Sequence, residues 1–378
     1  MTGQYDVAVI GGGILGLAHA WMATRRGLKA VLFERSARAQ GASVRNFGMV
    51  WPVGQPAGEL SSLALRAREL WLELAASNVV DVQECGSVHL AHHLDELAVL
   101  EEFSSRGTHT TNMLTPDEVV RTTSLVNPEG LLGGMWSPTE LRVDPRTASA
   151  AIASWLESHC DVQCRFRTPV TRIDGKDIHS ADGRAWRAER VIVCSGSDLS
   201  TLYPDVFLHS GLQLCKLQML RTTPQPDPQV RPPHVASGLT LRHYTSFADC
   251  ASLPALQTRI AEESPELDRF GIHVMASQFP GGEIIVGDSH EYGDDISPFD
   301  KSEIDELILR ELRKVIRLSD WSIRERWHGI YARHPERPVF ETETTEGTQV
   351  FVGTGGAGMT LAFGLAERAW KRWMGETE

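Results

Sequence analysis

Gly11, Gly13 and Gly16 stand in the spacing Gly-x-Gly-x-x-Gly, between a strand-like apolar run, Tyr5–Ile10, and a segment of helical period, 15–26, that Gly27 closes. Glycine at these points lets the chain turn sharply and bring backbone N–H groups against a pyrophosphate, whose charge a helix N-terminus favours. The next apolar run, Ala30–Phe33, ends at Glu34, where a carboxylate can accept hydrogen bonds from an adenosine ribose. An acid there repels a 2′-phosphate, so NADP is disfavoured while NAD and FAD share the fingerprint. The glycines by themselves also suit a plain tight turn from strand to helix.

A second strand–glycine–helix junction separates these readings. Near the other end of the chain stand Gly353, Gly355, Gly356 and Gly358, followed by Met359 and Thr360. A helix starting there can direct N–H groups and its positive end at the N1/O2 edge of a flavin, where negative charge builds up on reduction. A flavin dinucleotide is long enough to need both junctions.

Certain elements must hold these loops. The first 35 residues read as a βαβ unit with a right-handed crossover. Residues 59–77 and the segment that Asp144–Pro145 opens, through about His159, read as helices packed on a sheet. Arg190–Cys194 and Gln349–Gly353 read as further parallel strands. In the middle, Gln213–Arg221, Thr240–Tyr244, His273–Phe279 and Glu283–Val286 follow one another without helices and predict an antiparallel sheet, with a hairpin turn at Pro280–Gly282. Asp300 with Glu303 suggests a capping box for the helix that follows, and 222–239 and 247–268 read as surface excursions.

Composition bounds the rest. The 378 residues suffice for two domains. A formal net charge of −12 gives no general attraction to nucleic acid or anionic lipid. The six Cys lie at 85, 160, 164, 194, 215 and 250 without CxxC pairs, which fits buried free thiols. No run of about 18 apolar residues and no signal-peptide pattern is present, so a cytoplasmic location is expected.

The segments VAVIGGGILGLAHA (7–20), LFER (32–35), GASVRNFGMV (41–50), VIVCSGSDLS (191–200), LQMLRT (217–222) and GTGGAGMTLAFGLAE (353–367) together resemble the D-amino-acid oxidase family of flavoproteins, which includes glycine and sarcosine oxidases. The resemblance implies a Rossmann-like α/β FAD-binding domain interleaved with an α+β substrate domain carrying a large antiparallel sheet. Residues 1–80, 140–212 and 322–378 would form the first, and 81–139 with 213–321 the second. Carried over by motif, the FAD contacts are Gly11, Gly13, Ile14, Leu15, Gly16, Glu34, Arg35, Ala42, Ser43, Arg45, Asn46, Val170, Ser195, Gly196, Gly356, Gly358, Met359 and Thr360. The stretch 327–333 holds no Cys, so FAD is expected to be non-covalent.

The family's chemistry is hydride removal from a carbon bearing an amine, which positioning largely accomplishes. No catalytic nucleophile or metal is therefore expected, and the 14 His are expected to be surface or packing residues unless they meet substrate. Where glycine oxidase and D-amino-acid oxidase resemble Gly-x-Arg-Pro, with an Arg forking onto a carboxylate, this chain reads Gly329–Ile330–Tyr331–Ala332. The segments ASVRNFGMVWPVGQ and WHGIYARHPERPVF look like a branch of the family linked to aminophosphonates. A tetrahedral phosphonate wants donors from several directions, and Arg45, Asn46, His243, Tyr244, His328, Tyr331 and Arg333 are the candidates. The expected substrate is a small anionic amine related to 2-aminoethylphosphonate, N-methylated or 1-hydroxylated, with O2 as acceptor. Glycine, sarcosine or a D-amino acid, dehydrogenase rather than oxidase action, and non-catalytic FAD binding are the alternatives.

Overall fold

In a computed structural model describing residues 3–376, the strand Gln4–Ile10 lies in an eight-stranded sheet. Ala30–Phe33 pairs with it on one side and Ala185–Val193 on the other, both parallel. Gln163–Arg165 and Thr348–Val352 extend the parallel run outward in each direction. These strands are Val-, Ile- and Phe-rich because helices cover the sheet and both faces must be apolar. The first helix, Ile14–Thr24, packs with Glu59–Ala76, Pro145–His159 and Gly358–Met374. The Asp144 carboxylate caps its helix, accepting the Arg146 N–H at 3.0 Å. Gly364 permits the close crossing of two of these helices, since a Cβ there would stand 2.3 Å from the Leu63 carbonyl.

The second sheet has nine strands. Gln213–Thr222 runs antiparallel to Ile284–Gly287 on one side and to the long strand Ile323–Arg333 on the other. The hairpin expected at Pro280–Gly282 joins Met275–Gln278 to Ile284–Gly287. Segment 322–333, grouped by sequence with the cofactor-binding stretches, thus runs in the second sheet almost from end to end against Gln213–Thr222. It leaves that sheet only at Arg333, beside Thr354 of the glycine junction. A three-stranded sheet, Met49–Val50, Leu141–Val143 and Val82–Glu84, stands apart from both.

Three local expectations are corrected. Thr240–Tyr244 is no strand: Gly238–Arg242 forms a 3-10 turn, because Ser237 starts a tight hydrogen-bonded bend through Thr240. Asp300 caps no helix, since the helix runs Ser302–Val315 with Lys301 before it and no side-chain cap. The Asp300 carboxylate instead meets the buried Lys216 ammonium at 2.8 Å and His328 Nδ1 at 2.9 Å. A buried ammonium needs such a partner more than a helix end does. Finally, 222–239 is not all surface, for His234–Ala236 is a buried strand of the second sheet, and 247–268 holds the helices Leu253–Glu263 and Pro265–Arg269.

Among the described residues no helix is long and apolar enough to cross a membrane.

Candidate functional site

A cavity of about 710 Å³ runs from the carboxyl ends of the parallel strands to the face of the nine-stranded sheet. At its first end the wall is backbone. Gly11, at φ 114°, lies where a Cβ would stand 2.2 Å from the Cys194 carbonyl, and a Cβ on Gly16 would stand 2.0 Å from that of Gly11. Only glycine lets strand, turn and helix approach this closely. The first helix has no cap from its own N-terminal residue, and Ser43 Oγ reaches across to accept the Ile14 N–H at 2.9 Å. Glu34 accepts the N–H groups of Gly12 at 2.9 Å and Ser36 at 2.8 Å, so its carboxylate already shapes the loop. Arg35 pairs with Asp198 at 2.8 Å across the same end.

Farther along, the Ala42–Val44 turn is held by Asn46, which donates to the Ala42 carbonyl at 2.9 Å and accepts the Gly48 N–H at 2.8 Å. Opposite it, Gly355 turns at φ 57° and the helix Gly358–Met374 begins without a side-chain cap. Every residue assigned to cofactor from the sequence lines this cavity except Thr360, whose buried hydroxyl accepts the Trp51 N–H at 2.9 Å. Two observations fit an extended dinucleotide: the glycine cradle has no room for side chains, and the buried Ser195 Oγ on the wall has no hydrogen-bond partner in the chain. The residues present therefore suit FAD, whose pyrophosphate the glycine turn and the N-terminus of the first helix would hold.

The other end is side chain. His243, Tyr244 and Tyr331 line it, as expected, together with His273, Asp288 and His290. These last three escaped the sequence reading; the Asp288-x-His290 spacing just beyond a strand was the available signal. Burial pushes His243 and His273 well below the ordinary imidazole range, with neighbouring His rings adding to it, and lowers His290 to about 4. The same burial raises Asp288 well above the usual carboxyl range and lifts Tyr244 and Tyr331.

Arg45 and Asn46 border both this cavity and a smaller one of about 450 Å³, which His328 also lines. Arg45 donates to the His328 carbonyl at 3.1 Å and, among the described residues, has no carboxylate partner. His328 and Arg333 lie outside the wall of the main cavity. Alternation along Ile323–Arg333 puts His328 on the opposite face from Tyr331, while Arg333 shares the Tyr331 face but lies over the Tyr292 ring at 4.8 Å.

The profile of the DAO family, described as FAD dependent oxidoreductase, matches residues 6–371. Glycine oxidase from Geobacillus kaustophilus is 26% identical over 210 residues, which are 52% of this chain and 56% of that protein. Human mitochondrial dimethylglycine dehydrogenase is 26% identical over 204 residues, 50% of this chain and 23% of that protein. The matches thus span about a quarter to half of these curated relatives. The crystal structure of Geobacillus kaustophilus glycine oxidase superposes with a TM-score of 0.78 at 19% identity, covering 99% of this chain and 96% of that one. L-proline dehydrogenase from P. horikoshii superposes at 0.75 with 19% identity, covering 100% and 96%. Likeness at that identity establishes the shared mixed α/β fold, and the profile establishes more: the chain belongs to the DAO family of FAD-dependent oxidoreductases.

Proposed function

We propose that this protein oxidises the carbon–nitrogen bond of a small anionic amine, an aminophosphonate related to 2-aminoethylphosphonate and carrying an N-methyl or 1-hydroxyl group. The observation that carries the reading is Tyr331, buried on the cavity wall at the position where the family's carboxylate-gripping Arg is expected, among His243, Tyr244, His273 and His290. Donors from different directions, here the Tyr244 and Tyr331 hydroxyls, suit a tetrahedral anion better than a planar carboxylate. Arg45, without a carboxylate partner, adds a cation where the two cavities meet. Stretches 1–80, 140–212 and 334–378 would serve FAD, and the nine-stranded sheet would serve substrate.

The chemistry that a bound FAD supplies is acceptance of a hydride from the carbon bearing nitrogen. The chain's own part is to hold the anionic group, orient that C–H bond and shield the site from water. Loss of hydride and of the amine proton leaves an imine, which water hydrolyses to an aldehyde and an amine or ammonia. Dioxygen takes up the electron pair and two protons to give hydrogen peroxide.

The test is peroxide release from purified, FAD-loaded protein given N-methyl- and 1-hydroxy-2-aminoethylphosphonate beside glycine, sarcosine and D-alanine. The aminophosphonates should show the higher kcat/KM. Equal or better turnover of the amino acids sinks the substrate assignment. Reduction of a dye without peroxide would replace the oxidase by a dehydrogenase, and failure of every amine to bleach the flavin would favour a non-catalytic flavoprotein.

A further inference from the structure

At the substrate end of the cavity, three imidazoles and one carboxylate converge in a way that hydrogen bonding within the chain leaves unexplained. His243, His273 and His290 each offer a ring nitrogen, and these atoms lie within 4.8 Å of one another. The ring centroids are separated by 3.9 Å for His243 and His273, 4.3 Å for His243 and His290, and 5.0 Å for His273 and His290. His273, Asp288 and His290 are only 3%, 4% and 6% exposed. Such burial normally requires that polar atoms be paired.

These are not. Neither nitrogen of His273 has a hydrogen-bond partner, nor does Asp288 Oδ1, although His273 Nε2 lies 3.2 Å from that oxygen. The two atoms are close without being aligned as donor and acceptor. A carboxylate oxygen and an imidazole nitrogen this close without a shared hydrogen bond leave the His273 nitrogens free to face a cation, with the carboxylate beside it. His290 supplies the second sign. Its Nδ1 lies 3.2 Å from the Gly271 carbonyl, which only an N–H can satisfy, so Nε2 keeps a bare lone pair. That lone pair lies 3.8 Å from Asp288 Oδ2. An ionised Asp288 would face that lone pair acceptor to acceptor, which a metal cation beside them relieves, and a backbone carbonyl fixing the far nitrogen is how metal-binding histidines are commonly oriented.

We propose that His243, His273 and His290 bind a divalent transition-metal ion such as Zn²⁺ at the substrate end of the cavity, with the Asp288 carboxylate beside two of them to balance its charge. Three imidazole nitrogens suit zinc-like ions, and no thiol or oxygen-rich cage is needed. Three protein nitrogens leave room for a ligand from the cavity, and its natural class is an oxyanion. Metal binding does not require the aminophosphonate reading, but it changes how an anion is held: a bound ion takes the imidazole lone pairs, and an anionic group then meets the ion and the Tyr244 and Tyr331 hydroxyls.

The test uses FAD-loaded protein stripped with a chelator and then given one equivalent of Zn²⁺. Calorimetry should show saturable binding of a single ion, and zinc X-ray absorption should show a nitrogen and oxygen shell with the outer scattering of three imidazoles. The double substitution His273→Asn/His290→Gln should weaken binding by at least about 100-fold. Absence of saturable binding, or a sulfur-containing shell, overturns the assignment. So does unchanged affinity in the substituted chain. If that chain fails to retain FAD, X-ray absorption on the unsubstituted protein decides alone, because it reads the ligands directly. Neither measurement uses turnover, so failure of the substrate reading leaves the result intact.

Discussion

At the glycine end of the cavity the wall is backbone, shaped by what is missing: a Cβ at Gly11 or Gly16 would lie 2.2 or 2.0 Å from a carbonyl oxygen. At the histidine end the wall is side chain, drawn from the turn at His243, from His273 before one strand and from Asp288 and His290 after another. The first end suits a dinucleotide through backbone geometry whose core, the glycine turn and Glu34, lies within one βαβ unit. The second is lined by groups that meet only when distant strands pair, so a single side chain there would change what can be bound. Cofactor and substrate preference should therefore fail separately under mutation.

The largest effect is expected at the glycine end. Gly16→Ala drives a methyl group into the Gly11 carbonyl, so FAD should be lost and stability should fall by about 3 kcal/mol. Absorbance per chain and thermal unfolding check this. Gly41→Ala, on the same wall but with nothing within 4 Å of the new Cβ, should stay within about 0.5 kcal/mol. Equal loss in both would break the claim that close backbone approach makes this end.

A smaller effect is expected at Glu34. Replacement by Ala removes an acceptor for ribose and for the Gly12 and Ser36 N–H groups, and should weaken FAD binding about 10- to 100-fold by titration of the apoprotein. KM for the amine, measured with FAD saturating, should hardly move. At the other end, Tyr331→Phe keeps the ring and removes one donor, so KM for an anionic amine should rise about tenfold while FAD retention stays. Parallel losses of both in either variant would mean the two ends are not separable.

The smallest effect lies in the helices behind the glycine end. Arg66 holds Glu367 by a two-pronged pair at 2.8 and 2.9 Å, and this hydrogen bonding depresses the carboxyl pKa below its ordinary value. A depressed carboxyl stabilises the fold above its unfolded pKa, near 4.3, and that stabilisation fades as pH falls through the lower folded value. Arg66→Ala should therefore cost about 1 kcal/mol at neutral pH, with the urea midpoints of the two proteins converging in acid. A constant gap down to low pH would show that packing, not charge, accounts for the loss.

Much of the glycine end was legible beforehand because its physics is sequential. The spacing of Gly11, Gly13 and Gly16, the apolar strands around them and Glu34 at the end of the next strand are neighbours both in sequence and in space. Asp144–Pro145 was equally readable, since a cap needs only its own first turn. Asp300 is ambiguous for the converse reason: a cap and a counterion look alike in sequence, and only the burial of Lys216, more than 80 residues away, decides between them. His328 was grouped with Tyr331, yet strand alternation sends the two to opposite faces.

Sequence by itself determined the family, the cofactor and the strand–turn–helix around the first glycines, because glycine spacing and apolar periodicity are local and the backbone obeys them wherever they occur. Tertiary structure alone decided that His243, His273, Asp288 and His290 share one site, and that the strand carrying Tyr331 passes from the second sheet to the glycine junction. Their convergence depends on the register of strands paired across long stretches of chain, and a one-residue slip in any of them would turn these side chains to the other face.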